Sequence, residues 1–247
     1  MIQSIKLRLL QGDPIIHDVK NAAMPSKFRG VPIIEEMTCP KECTACRDAC
    51  PVHAIDTEAM SIDLGHCTFC PICEKACPEN KIRFTQNYHL ASDRRENLII
   101  SQKTKLISPV KASAKIRSYF GKSLRLRQVS AGGCNGCELE LNALNNVNFD
   151  MGRFGIDFVA SPRHADGIVI TGPITSHMAH ALEICYDAVP DPKIIILNGA
   201  CAISGGFFCD SPEVQREFLD THRIDLFIPG CPPHPLTFIN GLLDWLQ

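Results

Sequence analysis

Fourteen of the 247 residues are cysteines, and their number and spacing are the first indication of chemistry in this chain. Eight lie between Cys39 and Cys77, and six lie between Cys134 and Cys231. The start of the chain, MIQSIKLRLLQGDP, lacks the uninterrupted apolar stretch of a secretory signal, which favours the cytoplasm, where thiols stay reduced. So many reduced thiols predict metal binding rather than disulfides.

The first eight cysteines form two similar runs, CPKECTACRDACP at 39–51 and CTFCPICEKACP at 67–78. The second run is C-x2-C-x2-C-x3-C-P, in which three cysteines of one loop bind a [4Fe–4S] cluster and the fourth binds the neighbouring cluster. The first run has one additional residue between Cys39 and Cys43, which we expect to affect the potential of its cluster. The pattern predicts two clusters, the first bound by Cys39, Cys43, Cys46 and Cys77, and the second by Cys67, Cys70, Cys73 and Cys50.

Zinc is the alternative metal for these two runs, because Cys-x2-Cys pairs also form four-cysteine zinc sites. Such zinc sites need neither a third cysteine three residues further on nor a proline after the last cysteine. Both runs contain these features. The sequence therefore favours iron–sulfur clusters over zinc.

The first half resembles the two-cluster ferredoxin subunit of respiratory complex I and of membrane-bound hydrogenases, over roughly residues 25–100. The segments FRG at 28–30 and SDRRENL at 92–98 are similar to the flanks of the cluster motifs in that family. The resemblance implies a small α+β domain of the bacterial 2[4Fe–4S] ferredoxin type, with an N-terminal extension, over 1–100. Residues 101–122 are basic and lack periodicity, which predicts a linker to a second domain at 123–247.

From Leu124 onwards, strand-like and helical segments alternate. The strand-like segments are LRLRQVSA, IDFVAS, GIVITG, KIIILNGA and IDLFIPG, and we predict helices at about 135–146, 176–189, 212–222 and 236–246. This alternation predicts an α/β domain with a parallel sheet and helices on both faces, of the flavodoxin-like class. Ligands of such sheets lie outside the carboxyl ends of the strands.

Cysteines follow three of these strands at their carboxyl ends. Because parallel strands end at one edge of a sheet, four thiols far apart in sequence can converge there, which predicts a third [4Fe–4S] cluster bound by Cys134, Cys137, Cys201 and Cys231. A flavin or nucleotide phosphate bound by the loop after the first strand is the alternative. Cys185 and Cys209 have no partner at ligand spacing, and we expect both to be small buried apolar residues.

The motifs CNGCELE, SPRHADGIVITGPIT, GAC followed by SGG, and PGCPPHP cover roughly 124–247. They resemble the small subunit of [NiFe] hydrogenases and its relative in complex I. In the complex I branch the two cysteines of the first motif are adjacent, whereas here Asn135 and Gly136 separate them, as in the hydrogenase branch. The resemblance also implies that Glu140 lies near a partner interface, although a helix-surface glutamate is the alternative.

Together, the two resemblances imply an electron-transfer subunit of an energy-converting membrane-bound (group 4) hydrogenase, with three [4Fe–4S] clusters and no catalytic residue of its own. The expected partners are a [NiFe] hydrogenase-type large subunit, a donor or acceptor subunit at the ferredoxin domain, and integral membrane subunits, as in formate hydrogenlyase. The expected location is the cytoplasmic side of the inner membrane, held peripherally through those partners. The alternatives are a complex I-like or nickel-free oxidoreductase that reduces quinone, and a ferredoxin fused to a flavin or nucleotide domain.

Other classes of function find little support in the composition. The formal net charge of −2 gives no electrostatic footprint for nucleic acid, which we do not expect as a partner. No apolar run reaches the length that spans a bilayer. His164 and His234 lie in the motifs near the third cluster and are candidates for tuning it or carrying protons.

Overall fold

The structure is a computed structural model that describes residues 2–36, 39–40, 42–104 and 111–246. The elements of the first half are short, and they are helix α1 (Ile2–Gln11), strand β1 (Pro32–Ile34), helix α2 (Ala45–Asp48), strands β2 (Ile55–Asp56) and β3 (Ser61–Asp63), helix α3 (Ile72–Ala76), strand β4 (Ile82–Phe84), a 3-10 helix (Arg95–Leu98) and strand β5 (Ile99–Ser101). Strand β1 pairs with β4, and β3 pairs with β2 and β5, all antiparallel. Each cysteine run thus contains a short helix that lies between two strands.

The second half contains longer elements. They are helix α4 (Ala114–Phe120), strand β6 (Leu124–Ser130), helix α5 (Gly136–Ala143), strands β7 (Ile156–Phe158) and β8 (Gly167–Thr171), helix α6 (Ser176–Asp187), strand β9 (Ile194–Asn198), helices α7 (Ala200–Ser204) and α8 (Glu217–Thr221), strand β10 (Leu226–Ile228) and helix α9 (Pro235–Leu246), with 3-10 turns at Met151–Phe154, Pro162–His164 and Gly206–Phe208.

The five strands β6 to β10 form one parallel sheet in the order β7-β6-β8-β9-β10. This is the flavodoxin-like order, and the predicted α/β fold is confirmed. Alternate residues of β9 face opposite sides: Ile195 and Leu197 belong to the core with α6, α7 and α8, and Ile194 and Ile196 belong to the core with α5 and α9. Strand order reverses between β6 and β8, and this switch point is where such sheets bind ligands.

The two halves pack directly against each other along β10. Ser92 is fully buried and exchanges two backbone hydrogen bonds with Phe227, with N···O distances of 3.0 and 2.7 Å. A Cβ atom on Gly241 of α9 would lie 2.6 Å from the Cβ of Ala91, so only glycine permits this approach. The N-terminal half, which we call the ferredoxin half after its predicted fold, therefore covers the edge of the sheet that β10 would otherwise expose.

Some local predictions differ from the structure. The predicted helix at 212–222 is helical only over Glu217–Thr221, because the N–H of Gln215 donates to the carbonyl of Ile174 and ties this segment to the loop after β8. Within the predicted linker, α4 buries Phe120, and residues 105–110 lie outside the described residues. Among the helices that the structure describes, none has the length and apolar character needed to cross a membrane.

Candidate metal centres

The four cysteines at the carboxyl edge of the sheet meet at one cavity of about 110 Å³. Cys134 and Cys137 come from the loop after β6 and the start of α5, Cys201 lies in the first turn of α7 after β9, and Cys231 follows β10. Cys134 and Cys231 are exposed, whereas Cys137 and Cys201 are partly buried. We call this group the sheet-edge thiols.

Glycines keep side chains out of the space around the sheet-edge thiols. Gly199 has a φ of +99°, and a Cβ atom there would lie 2.7 Å from the Sγ of Cys137. Gly172 has a φ of +82°, and its Cβ would lie 2.6 Å from the amide nitrogen of Gly133. Only glycine combines such a backbone with such close contacts. The thiols and this cradle fit an inorganic cluster that occupies the space between them.

Glu138 is a buried acid on the wall of the same cavity. Its Oε1 accepts hydrogen bonds from the hydroxyls of Ser130 and Thr171, at 2.7 and 2.6 Å, which are the last residues of β6 and β8. Burial by itself would raise the pKa of Glu138, but these two hydrogen bonds outweigh it and hold the pKa below its usual value. A carboxylate is therefore fixed at the switch point of the sheet, beside Cys137.

Sequence reasoning selected Glu140 and missed Glu138. Glu140 is partly buried, and burial raises the pKa of its carboxyl. Glu138 lines the cavity whereas Glu140 lies two residues further along α5. The signal that could have identified Glu138 is its position directly after a predicted ligand, Cys137.

In the ferredoxin half, Cys50 of the first run lies with three cysteines of the second run. Cys50, Cys67, Cys70 and Cys73 line one small cavity, whose other walls are apolar residues including Val52 and Ile62. The N–H groups of Ala54 and Phe69 donate to the Sγ atoms of Cys50 and Cys67, both at 3.3 Å. Such N–H donors stabilise thiolates that bind iron.

Cys77 of the second run lies with the first run in the same crossed manner. The ammonium group of Lys81 donates to the Sγ of Cys39 at 3.5 Å, and the backbone N–H of Lys81 donates to the Sγ of Cys77 at 3.3 Å. Burial, and then the nearby thiols of Cys77 and Cys39, raise the pKa of Cys46. Cys43 belongs to the same loop and is partly buried. Lys81, only 3% exposed, was not predicted as part of a site.

The turn that presents Cys67 is held by Asp63 at the end of β3. Both carboxylate oxygens of Asp63 accept hydrogen bonds from the guanidinium of Arg95, at 2.7 and 2.6 Å. Burial opposes ionisation, but hydrogen bonds from His66 and Arg95 hold the pKa of Asp63 far below its usual range. The N–H of Cys67 donates to the Asp63 carbonyl, so this ion pair positions the first cysteine of the second run.

Burial dominates the protonation of several thiols. It raises the pKa of Cys67 and of Cys137, that of Cys73 to about 12 and that of Cys201 to about 11. A thiol must lose its proton to bind a metal, so binding at these positions releases protons. Within the described ranges, no three His, Cys, Asp or Glu side chains form a group able to hold a single metal ion.

The remaining candidates lie in different surroundings. Cys185 on α6 is partly buried near Arg127, away from the three thiol groups. Cys209 is exposed, so the expectation that it is buried is wrong; it follows the 3-10 turn that ends at Phe208.

The two candidate histidines lie in different places. His164 ends the 3-10 turn before β8. His234 lies between the rings of Phe28 and Phe149 at the junction of the two halves.

Comparisons with known proteins show which family the second half belongs to. The family model described as "NADH ubiquinone oxidoreductase, 20 Kd subunit" matches residues 134–245. The probable membrane-bound hydrogenase subunit mbhJ of Pyrococcus furiosus is 38% identical over 137 residues, which are 56% of this chain and 82% of that protein. Formate hydrogenlyase subunit 7 of Escherichia coli K12 is 41% identical over 143 residues, 58% of this chain and 52% of that protein.

Relatives whose names give other reactions match as well. An NADH-quinone oxidoreductase subunit of Bacteroides thetaiotaomicron is 44% identical over 109 residues, 44% of this chain and 55% of that protein. A chain of the membrane-bound sulfane sulfur reductase, an archaeal respiratory membrane complex, is 30% identical with a TM-score of 0.45, over 53% of this chain and 72% of that chain. This chain thus spans only about half of some relatives, such as formate hydrogenlyase subunit 7.

Proposed function

Because the chain belongs to the family of the NADH ubiquinone oxidoreductase 20 Kd subunit, we propose that it transfers electrons within a membrane-associated hydrogenase complex. Its relatives are subunits of membrane-bound hydrogenase, formate hydrogenlyase and NADH-quinone oxidoreductase. Each cluster, when bound, accepts and releases electrons. The chain holds three [4Fe–4S] clusters and relays electrons to or from the [NiFe] site of a partner large subunit.

The spatial order of the three thiol groups is the observation that carries this proposal. Cys46 of the first group lies close enough to Cys73 to affect its pKa, so the first and second groups are neighbours. Burial raises the pKa of Cys231, and the nearby thiols of Cys134 and Cys70 raise it further. Cys70 belongs to the second group and Cys231 to the sheet-edge thiols. The second group therefore lies near both the first group and the sheet-edge thiols, and an electron relay requires such a succession of nearby sites, which we call the row.

The sheet-edge end of this row is the proposed docking site of the large subunit. Cys134 and Cys231 are exposed there, and Phe207 and Leu139 are 57% and 61% exposed on neighbouring elements. An apolar surface around an exposed cluster needs a partner that excludes water. The Cys-Asn-Gly-Cys spacing, in which Asn135 adopts a left-handed φ of 68°, favours a nickel-containing partner over a quinone-reducing one because it resembles the hydrogenase branch.

The opposite end of the row serves the electron donor or acceptor. Cys39 and Cys43 are partly buried, not sealed within the core, so a second protein can approach the first cluster there. The chain's own residues hold the clusters, exclude water from the buried thiols and fix charges beside them. Attachment to the cytoplasmic side of the inner membrane is then through the integral membrane subunits of the complex.

Iron analysis tests the ligand sets. Three clusters require about twelve irons per chain. We expect Cys201→Ala to remove about four of them and one cluster signal from the electron paramagnetic resonance (EPR) spectrum. Cys185→Ala, which changes a thiol outside the three groups, serves as the matched control and should retain all of them. Zinc in place of iron, or about eight irons with free sheet-edge thiols in the unaltered protein, would contradict the proposal.

A further inference from the structure

Lys81 is a buried lysine that contacts one cysteine from each run in the first thiol group. It is only 3% exposed. Its ammonium donates to the Sγ of Cys39 at 3.5 Å, and its backbone N–H donates to the Sγ of Cys77 at 3.3 Å. Cys39 comes from the first run and Cys77 from the second. One residue therefore contacts both sides of the site that we assign to the first cluster.

The backbone of Lys81 is bonded on both sides. Its N–H donates to Cys77, and its carbonyl accepts a hydrogen bond from the N–H of Glu35 at 2.9 Å. Strand β4 begins at the next residue, Ile82, which pairs with Ile34 of β1. The side chain of Lys81 therefore extends from a fixed point of the backbone to Cys39.

The ammonium of Lys81 lacks an acidic partner within the described ranges of the chain. Glu35, whose backbone bonds that of Lys81, pairs instead with Arg83, at an N···O distance of 3.6 Å. A buried charge costs much free energy unless a charge of opposite sign lies beside it. The thiolates of a bound cluster would supply that opposite charge. The buried ammonium therefore fits a negatively charged group held by Cys39 and Cys77.

The second thiol group has no comparable cation. Apolar residues such as Val52 and Ile62 line its cavity, and no lysine, arginine or carboxylate does so among the described residues. The nearby ion pair of Asp63 and Arg95 carries both signs, so its net charge is zero. Backbone N–H groups donate to thiols at both sites. The buried charge of Lys81 is therefore what distinguishes the first site from the second.

We propose that Lys81 makes the first cluster easier to reduce than the second, so that an electron shared by the two rests on the first. This inference rests on the proposed relay. One electron, from a partner subunit or a chemical reductant, adds one negative charge to a cluster without forming or breaking a bond. A cation a few ångströms away stabilises that charge, and at the effective dielectric constant of protein sites it changes the equilibrium by at least about tenfold. The electron is thus held at the end of the row opposite the sheet edge.

An EPR redox titration of the intact complex tests this inference. In the unaltered protein we expect the first cluster to be reduced before the second, whose signal is identified by its change in Cys67→Ser. Lys81→Met removes the charge and keeps a side chain of similar length. At a fixed potential, the ratio of reduced to oxidised first cluster should fall about tenfold, which is about 59 mV for one electron. Lys81→Arg keeps the charge and should keep the higher potential.

Lys75→Met is the matched control. Lys75 also belongs to the second cysteine run, but it is exposed on α3, where water and salt screen its charge. Its removal should leave the potential of the first cluster unchanged. An equal shift in Lys75→Met and Lys81→Met would show that the buried position of Lys81 is unimportant, and would refute the inference.

Iron content is measured first in every variant. With all irons present, an unchanged potential in Lys81→Met, or a second cluster that is reduced first in the unaltered protein, would overturn the inference and leave the relay intact. If Lys81→Met loses the first cluster, Lys81→Arg decides: retention of the cluster and its potential supports the role of the charge, and loss in both variants refutes it. Absence of iron from the unaltered protein would instead contradict the proposed function.

Discussion

Two buried charges of opposite sign lie at opposite ends of the row of thiol groups. The ammonium of Lys81 contacts the Sγ of Cys39 in the first group, and the carboxylate of Glu138 lies on the wall of the sheet-edge cavity. A reduced cluster carries one more negative charge than an oxidised one. With the proposed clusters bound, the cation would ease reduction of the first cluster, and the carboxylate would oppose reduction of the third.

Removal of the Glu138 charge tests this effect at the third cluster. We expect Glu138→Gln to raise the midpoint potential of the sheet-edge cluster, because a nearby negative charge no longer opposes the added electron. A change on the order of 1 kcal/mol corresponds to about 40 mV for one electron. An EPR redox titration measures the shift. Glu140→Gln is the control and should shift the potential less; an equal shift would show that the position of Glu138 is unimportant.

The crossed pairing of the two cysteine runs also has a test at a single residue. Cys50 belongs to the first run but lines the cavity of Cys67, Cys70 and Cys73. We therefore expect Cys50→Ser to perturb the second cluster and leave the first intact, as seen by EPR of the reduced protein. Damage to the cluster of Cys39, Cys43 and Cys46 with an intact neighbour would mean that each run binds its own cluster.

At the scale of elements, the third site depends on how the loops leave the sheet. The loop after β6 and the loop after β8 diverge at the switch point, and this divergence opens space at the carboxyl edge. The backbone of Gly199 turns from β9 into α7 with a positive φ and places Cys201 in the first turn of that helix. The loop geometry, rather than any single contact, brings the sheet-edge thiols together.

Gly199→Ala should therefore damage the third cluster selectively. The new Cβ would lie 2.7 Å from the Sγ of Cys137, on a backbone that L residues rarely adopt. We expect loss of about four irons per chain, with the two ferredoxin signals retained. Gly152→Ala is the matched control, because its Cβ would make only an ordinary contact, at 3.4 Å from Asp157 Oδ1. A full iron complement in Gly199→Ala would show that the loop can shift to accommodate the methyl group.

At the scale of the whole molecule, the two halves form one continuous core. Buried residues of the ferredoxin half, including Leu64 and Leu98, belong to the same cluster as Ile168 and Leu197 of the sheet. The backbone pairing of Ser92 with Phe227 adds to this contact. A close-packed core allows little motion of the two halves relative to each other. The packing therefore fixes the distances between the proposed clusters.

An electron relay has no catalytic centre of its own, and this determines the behaviour of the isolated chain. We expect the purified chain, with all its clusters, neither to evolve nor to consume hydrogen when assayed with artificial dyes. The complex with a nickel-containing large subunit should do both. Hydrogen activity of the chain alone would contradict the relay, and a native complex free of nickel but active with quinones would place the protein in the complex I branch.

The amino-acid sequence by itself determined the fold class and the candidate thiols. Periodic strands and helices predict a parallel sheet, and the confirmed sheet puts the ends of β6, β9 and β10, with their cysteines, at one edge. The spacing of the two runs predicts the crossed ligand sets, because those cysteines lie in short loops whose geometry is largely local. Helix α7 and the non-helical start of the 212–222 segment were not predicted, because contacts with residues distant in sequence determine the conformation of both segments.

Only the tertiary structure decided which other residues surround the thiols. Glu138 and Glu140 belong to the same motif, CNGCELE, and the hydrogen bonds from Ser130 and Thr171 show that Glu138 is the one fixed beside the thiols. The contact of Lys81 with Cys39 joins segments that are 42 residues apart, and the backbone pairing of Ser92 with Phe227 joins segments that are 135 residues apart. Sequence spacing carries no information about such pairs, because their proximity arises only when distant elements of the chain pack together.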